Sequence, residues 1–280
     1  MIPFDFDYYR PDTLEEAVQL FFYLERRGKS PLYFGGGTEI ITFARSQSIH
    51  TQAVIDLKAI PQCQEVGFSD NYLVLGACVS LTRIADFQSF SLLGKACKGI
   101  ADHTAQGKIS LGGNICGKII YHEALLPLLV TNSLAVIAGE HGQRQIPIEK
   151  VFHRQLLLNK GECIVQFLVE KDYLSLPNAH VKKTRSAKID YPLLSLAAIR
   201  KDEQIRFAVS GVCSFPFRSA IMEDYLNEEG IPYEYRVKNA LDHLPAPLLD
   251  NASGKPDYRR FVLFTTLLHM LKNQYEVYHV

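Results

Sequence analysis

The sequence predicts a mixed α+β protein of two domains, and three observations carry that expectation. The first half mixes strand-like and helix-like stretches around two glycine turns about 75 residues apart. The second half opens with two strand-like runs at hairpin spacing and continues almost entirely in helical periodicity. At 280 residues and 47% hydrophobic content the chain can bury two cores, and Leu176-Pro177-Asn178 interrupts the pattern near 170–180, where a boundary is expected.

The elements follow in order. Thr13-Leu14-Glu15-Glu16 has capping-box spacing, and Leu14, Ala17, Val18, Phe21 and Leu24 recur on one helical face until Gly28 can close the helix in a left-handed cap, so a helix is expected over 13–27. Pro31 to Phe34 reads as a strand, Gly35-Gly36-Gly37 as a tight turn, and Thr38-Glu39 as the start of a new element. Ala53 to Leu57 and Tyr72 to Ala77 read as strands, and Leu81 to Cys97 as one helix. Gly112-Gly113-Asn114 is the second glycine turn. Ala124 to Val130 is helix-like, while Leu134 to Ala138 and Cys163 to Val169 are strand-like. Leu193 to Arg200 and Gln204 to Val212 pair across Lys201-Asp202-Glu203. Helices are expected over Ile221 to Leu226, Tyr235 to Leu244 and Tyr258 to Tyr275.

Composition removes several classes of function. Thirty Lys and Arg balance thirty Asp and Glu, so no overall basic field exists to bind nucleic acid by counterion release. The longest apolar runs fall far short of a membrane span, and the N-terminus shows neither a secretory nor an Arg-rich targeting pattern, so no membrane partner and a cytoplasmic location are expected. The six cysteines form no C-x-x-C pair and the nine histidines no H-E-x-x-H, so metal or cluster chemistry is expected to reside elsewhere.

The glycine turns are the most informative features. Such a turn exposes successive backbone N–H groups and lets a phosphate approach with no Cβ in the way, and two of them suggest a dinucleotide. The alternative, that each is only a structural turn, stays open at this point. Known fingerprints do not fit. Ile40 stands where a Rossmann fingerprint needs its third glycine, and Ile119 follows Gly117-Lys118 where a P-loop needs a hydroxyl. No G-x-S-x-G occurs, and adjacent His122 and Glu123 do not by themselves make an acid–base pair. The residues alone point to a nucleotide-cofactor binder and no further.

Taken together, the motifs resemble one family. Phe34-Gly35-Gly36-Gly37-Thr38-Glu39-Ile40-Ile41 looks like the A-G-G-T-D-L-L turn of the FAD-binding subunits of molybdenum hydroxylases, the group that includes xanthine dehydrogenase and aerobic carbon monoxide dehydrogenase. Asp56 to Pro61 resembles its D-L-x-x-I-P, Leu75 to Leu81 its I-G-A-x-V-T-L, and Ser110 to Ile115 its T-I-G-G-N-I. Gly211 to Ala220 resembles G-V-A-P-x-P-x-R-A, and Ser253 with Tyr258-Arg259-Arg260 resembles S-x-x-Y-R-R. These ordered motifs cover nearly the whole chain.

The resemblance implies a two-lobed FAD domain of the vanillyl-alcohol-oxidase type over 1–175, its lobes meeting near 55–60, and an α+β C-terminal domain over 176–280 with a three-stranded sheet and helices. It implies that Phe34, Gly35, Gly36, Gly37, Thr38, Glu39 and Ile40 cradle the pyrophosphate, with Ser110, Gly112, Gly113 and Asn114 as the second wall. Cys116 and Ile164 match positions on the adenine and ribose side. Glu123 falls where the family has an Asp that holds the FAD chain, and Asp190-Tyr191 resembles a segment whose ring lies against the isoalloxazine. Lys183 matches a basic residue of the same segment; an alternative register selects Lys182, and on a strand only one of these neighbours can face the cofactor.

One stretch departs from the pattern. The family continues with small residues and a proline, whereas this chain reads Gly117-Lys118-Ile119-Ile120-Tyr121-His122-Glu123, with bulk that can narrow the flavin pocket. The implied function is an electron-transfer subunit that holds FAD, takes electrons from iron–sulfur clusters on a small subunit next to a molybdopterin-binding large subunit, and passes them to NAD or another acceptor, with purines such as xanthine the commonest substrate inference. A scaffold or assembly subunit that keeps the fold without FAD is the alternative, and a free-standing flavin reductase a third reading.

Overall fold

The computed structural model describes residues 1–187 and 189–273. The chain begins with a small parallel sheet, strands Asp7–Tyr9, Leu32–Phe34 and Ala53–Asp56, in which the third strand lies between the other two. Parallel neighbours need crossovers, and helices Leu14–Arg26 and Thr38–Arg45 supply them. The first runs as its sequence predicts. Thr13 accepts from the Glu16 N–H at 3.1 Å, Leu14, Ala17, Val18, Phe21 and Leu24 are buried, and Gly28 (φ +74°) follows the last turn. The capping box is displaced by one residue, since the Glu16 carboxylate accepts from the Asp12 N–H instead of the cap residue's own.

Against this lobe lies a five-stranded antiparallel sheet in the order Val66–Ser69, Tyr72–Gly76, Cys163–Glu170, Leu134–Gly139, Gly142–Pro147. Alternate residues face two different cores. Val74, Val136 and Val165 pack with Leu14, Phe21 and Ile55 of the first lobe. Leu73, Leu75, Ile137 and Phe167 pack with Leu92, Leu93, Leu126 and Leu128 on the other side. A bulge between Ile164 and Gln166 shifts the alternation along the central strand, so Val165 and Leu168 share one face while Ile164 and Phe167 share the other.

The helix expected over Leu81 to Cys97 is two helices, Leu81–Asp86 and Ser91–Lys98. Phe87 turns to extended backbone and Phe90 is buried at the break. Periodicity carried through the break because both pieces press their apolar faces into the same core.

From residue 178 a four-stranded antiparallel sheet follows, Asn178–Thr184, Pro192–Lys201, Gln204–Ser210 and Phe217–Arg218, where three strands were expected. The additional one is two residues long. Asp202 and Glu203, both at positive φ, form the two-residue turn between Lys201 and Gln204. Helices Ala220–Asn227, Tyr233–Leu241 and Pro256–Lys272 cover one face of this sheet, and the end of the expected last helix, up to Tyr275, lies outside the described residues. Arg259 on that helix is 1% exposed. Its guanidinium donates to the carbonyls of Leu193 (2.7 Å), Leu249 (3.1 Å), Gly254 (3.3 Å) and Gly211, and to Asn251 Oδ1 (2.6 Å), pinning helix to sheet.

Candidate functional site

The two glycine segments meet. Ser110 Oγ accepts hydrogen bonds from the N–H groups of Gly36 and Gly113, each at 3.2 Å, and so joins segments 74 residues apart. Steric demand explains the glycines. A Cβ on Gly36 would lie 1.7 Å from the Lys108 carbonyl oxygen, and one on Gly35 or Gly113 would press on Ser110 Oγ at 2.6 or 2.7 Å. Lys58 fixes the turn from behind, donating to the Gly35 carbonyl at 2.8 Å while paired at 2.7 Å with the buried Asp56, which also accepts from Tyr8.

Gly112-Gly113-Asn114 is not a free turn. It is the first turn of helix Leu111–Cys116, and Ser110 is its N-cap. Gly112 is buried there, donating to the Ala77 carbonyl at 2.7 Å with no room for a side chain against Ala77. The glycine signal came from close packing between chain segments, which local sequence does not distinguish from a turn.

Between the segments lies a cavity of about 500 Å³. Of the residues expected around a cofactor, Gly35, Gly36, Gly37, Thr38, Glu39, Ile40, Ser110, Gly113, Asn114, Cys116, Glu123, Asp190 and Tyr191 line it. Four do not. Phe34 turns beneath Gly37 and under the Lys58 ammonium, Gly112 faces Ala77, Ile164 is 3% exposed inside the main core, and Lys183 points to solvent. Lys182 takes the inward position on that strand and lines the cavity. Tyr33, Ile100, Ile109 and Tyr121 also contribute to the wall and were not expected there from the sequence, although Tyr121 sits in the stretch that departs from the family pattern.

Helix Thr38–Arg45 opens onto the cavity without a side-chain cap, after Gly37 in left-handed conformation. Its first intrahelical bond runs from the Ile41 N–H to the Gly37 carbonyl at 2.9 Å, so the amides of Thr38, Glu39 and Ile40 precede the ladder. Free amides and the positive end of a helix dipole favour an anion. Glu39 does not contest this end. Its carboxylate is turned away to accept from the N–H groups of Lys118 (2.5 Å) and Ile119 (3.2 Å).

The departing stretch is tied down at its far side as well. Asn114 Oδ1 accepts from the Ala124 N–H at 3.1 Å, and the Asn114 carbonyl accepts from His122 Nδ1 at 3.0 Å, which makes Nδ1 the protonated nitrogen. Burial lowers the His122 pKa, only partly opposed by that carbonyl. Glu123 is 4% exposed and pairs through Oε1 with Lys182 Nζ at 2.7 Å, and Lys182 also donates to the Gly99 carbonyl at 2.7 Å. Burial raises the Glu123 carboxyl against the pull of Lys182. The nearby Ser195 hydroxyl also favours the charged form. Oε2 is a buried acceptor with no protein partner among the described residues. At the rim, Tyr191 stacks on Tyr121 with centroids 4.9 Å apart and planes at 22°.

The residues present therefore fit a dinucleotide: open amides for phosphates, the Glu123–Lys182 pair on the wall for polar groups of the chain, and aromatic rings for a planar group. Among the described residues no cluster of three or more His, Cys, Asp or Glu could hold a metal ion, and no helix is long and apolar enough to cross a membrane.

Comparison with known proteins agrees with this chemistry. Residues 4–169 match the family described as the FAD binding domain in molybdopterin dehydrogenase. The chain is 21% identical over 225 residues to the nicotinate dehydrogenase FAD-subunit of Eubacterium barkeri, covering 75% of this chain and 72% of that one. It is 23% identical over 239 residues to the caffeine dehydrogenase subunit beta of a Pseudomonas species, covering 81% and 79%. Its fold is similar to that in the crystal structure of quinoline 2-oxidoreductase from Pseudomonas putida 86, with a TM-score of 0.86 at 18% identity over 98% of this chain and 97% of the other.

Proposed function

The chain belongs to the family of FAD-binding domains in molybdopterin dehydrogenases, and from that premise we propose that it holds FAD as the electron-transfer subunit of a molybdenum hydroxylase. The observation that carries the reading is the uncapped start of helix Thr38–Arg45 facing the Ser110-capped helix across the cavity. The amides of Thr38, Glu39 and Ile40 would hold the pyrophosphate, with Gly113 and Asn114 opposite. Glu123 would hold the cofactor chain, and Tyr191 would flank the ring end. FAD, when bound, supplies the redox chemistry; the protein orients it and sets its surroundings.

On this reading 1–175 is the FAD-binding domain, its lobes meeting near 55–60, and 176–280 is a C-terminal domain. Phe34 and Gly112 shape the two walls from behind, and Lys182 in place of Lys183 secures Glu123. The chain would sit in the cytoplasm against a small subunit whose iron–sulfur clusters receive electrons from a large subunit carrying molybdopterin, and would pass those electrons to NAD or another acceptor. Substrate choice would rest with the large subunit. Purines, xanthine among them, are one candidate class, and caffeine, in the name of one relative, is itself a purine.

The second reading, a scaffold that keeps the fold without FAD, is favoured by one observation: Tyr121 covers a face of Tyr191. The test is the visible spectrum of the purified full chain, followed if colourless by titration with FAD. Flavin bands or saturable one-to-one binding support the cofactor role. No binding, alone or after co-expression with partner subunits, leaves the scaffold.

A further inference from the structure

The stretch that departs from the family pattern has a definite place in the fold. Glu39 holds the Lys118 and Ile119 amides at one end, while Asn114 holds His122 and Ala124 at the other. Tyr121 is fixed between them. Its carbonyl accepts from Ser210 Oγ at 2.5 Å, and the next residue, His122, sits at φ +37°, a conformation that only a well-determined surrounding maintains. With the backbone tied on both sides, the freedom left to Tyr121 is rotation of its side chain. Its ring lies on Tyr191 at 4.9 Å and 22°, a stacked pair, and both rings line the same cavity.

An aromatic face already carrying a stacked ring is not available to a second one. A planar ligand that uses that face of Tyr191 must first displace Tyr121. The phosphate end of the cavity makes no such demand, because the amides of Thr38 to Ile40 and the Ser110 cap are built from other segments.

We propose that Tyr121 is a plug over the ring end of the cavity, so that it selects against the ring system of a bound dinucleotide while leaving the adenosine diphosphate portion unaffected. The proposal rests on the FAD reading above. Tyr121 acts by rotation of its side chain, with the loop in place, and sets how far FAD affinity exceeds that of its ADP fragment.

Calorimetric titration of the flavin-free full chain with ADP and with FAD, in wild type and Tyr121→Ala, tests it. Expected is an ADP dissociation constant unchanged within about twofold and an FAD dissociation constant lower by roughly three- to tenfold, the scale of one aromatic pair. Tyr121→Phe, which keeps the stack, should match wild type for both. Should Tyr121→Ala not fold, Tyr121→Val keeps the base of the side chain without the ring and is read the same way. Retained ADP affinity with FAD affinity unchanged or weaker overturns the plug and leaves the cofactor reading standing. Failure of both nucleotides to bind either protein overturns the cofactor reading and the plug with it.

Discussion

Lys182 and Glu123 form a buried ion pair across 59 residues of sequence, with Nζ and Oε1 at 2.7 Å and side chains 10% and 5% exposed. The pair ties the strand Asn178–Thr184 to the segment that closes the cavity. Taking two charges out of water is costly, so the pair is a poor source of net stability, yet removing one partner strands the other.

Lys182→Met is therefore expected to destabilise the fold by about 3 kcal/mol, because Glu123 is left in a site where burial already raises its carboxyl. Lys183→Met, one position along on the exposed face, should stay within about 0.5 kcal/mol. Urea unfolding of the two variants checks the strand register directly; equal effects would contradict it.

His180 lies on the same strand, and burial pushes its pKa down to about 4, with Lys182 and Lys95 adding to the effect. A histidine depressed in the folded state contributes stability that is full above its unfolded pKa and is lost as pH falls through the folded value. The window is thus roughly pH 6.5 down to 4, and the loss is on the order of 3 kcal/mol. His122, also lowered by burial, acts in the same sense, whereas Glu123, raised by burial, acts in the opposite one. Hence the quantity to read is the difference between wild type and His180→Asn in urea midpoint across that window: the variant should show the flatter profile.

Gly36→Val and Gly113→Val should both abolish or greatly weaken FAD binding, but for different reasons. At Gly36 the new Cβ meets a backbone carbonyl, that of Lys108, so even Gly36→Ala should cost several kcal/mol, on the order of 3, and show as lost folding. At Gly113 the obstacle is the Ser110 hydroxyl, which can rotate, so Gly113→Ala should cost about 1 kcal/mol, the scale of a lost helix cap. Thermal melts of the alanine variants separate the two cases; similar melting temperatures would count against the packing described.

Arg259→Lys should destabilise by about 3 kcal/mol. The guanidinium serves five acceptors in a buried site, and an ammonium with three donors cannot reach them all, leaving carbonyls of Leu193, Gly211, Leu249 and Gly254 short of partners. Arg260→Lys, whose partners are the Leu241 carbonyl and the half-exposed Asp242, should be close to neutral. Chemical denaturation of both tests the contrast.

Much of the fold was legible. The helix Leu14–Arg26 carries its cap, its apolar stripe and its glycine stop within 16 residues, and all three signals are local. The strands Tyr72–Gly76, Leu134–Gly139 and Cys163–Glu170 showed as short apolar runs because they are buried on both faces. By contrast Asp7–Tyr9 and Gly142–Pro147 went unseen: one is three residues long and the other reads Gly-Gln-Arg-Gln-Ile-Pro, an edge strand whose place depends on its neighbour.

The sequence by itself marked the two glycine segments from which the cavity is built, since a backbone that must approach something closely leaves glycine as its mark wherever that something lies. Tertiary structure alone decided what Gly36 and Gly112 approach: the Lys108 carbonyl and Ala77. It also decided that Lys182 and not Lys183 turns inward, that Glu39 holds the Lys118–Ile119 amides, and that Tyr121 covers Tyr191. These last three are contacts between segments 59 or more residues apart, and neither periodicity nor local spacing encodes the meeting of two distant stretches of chain.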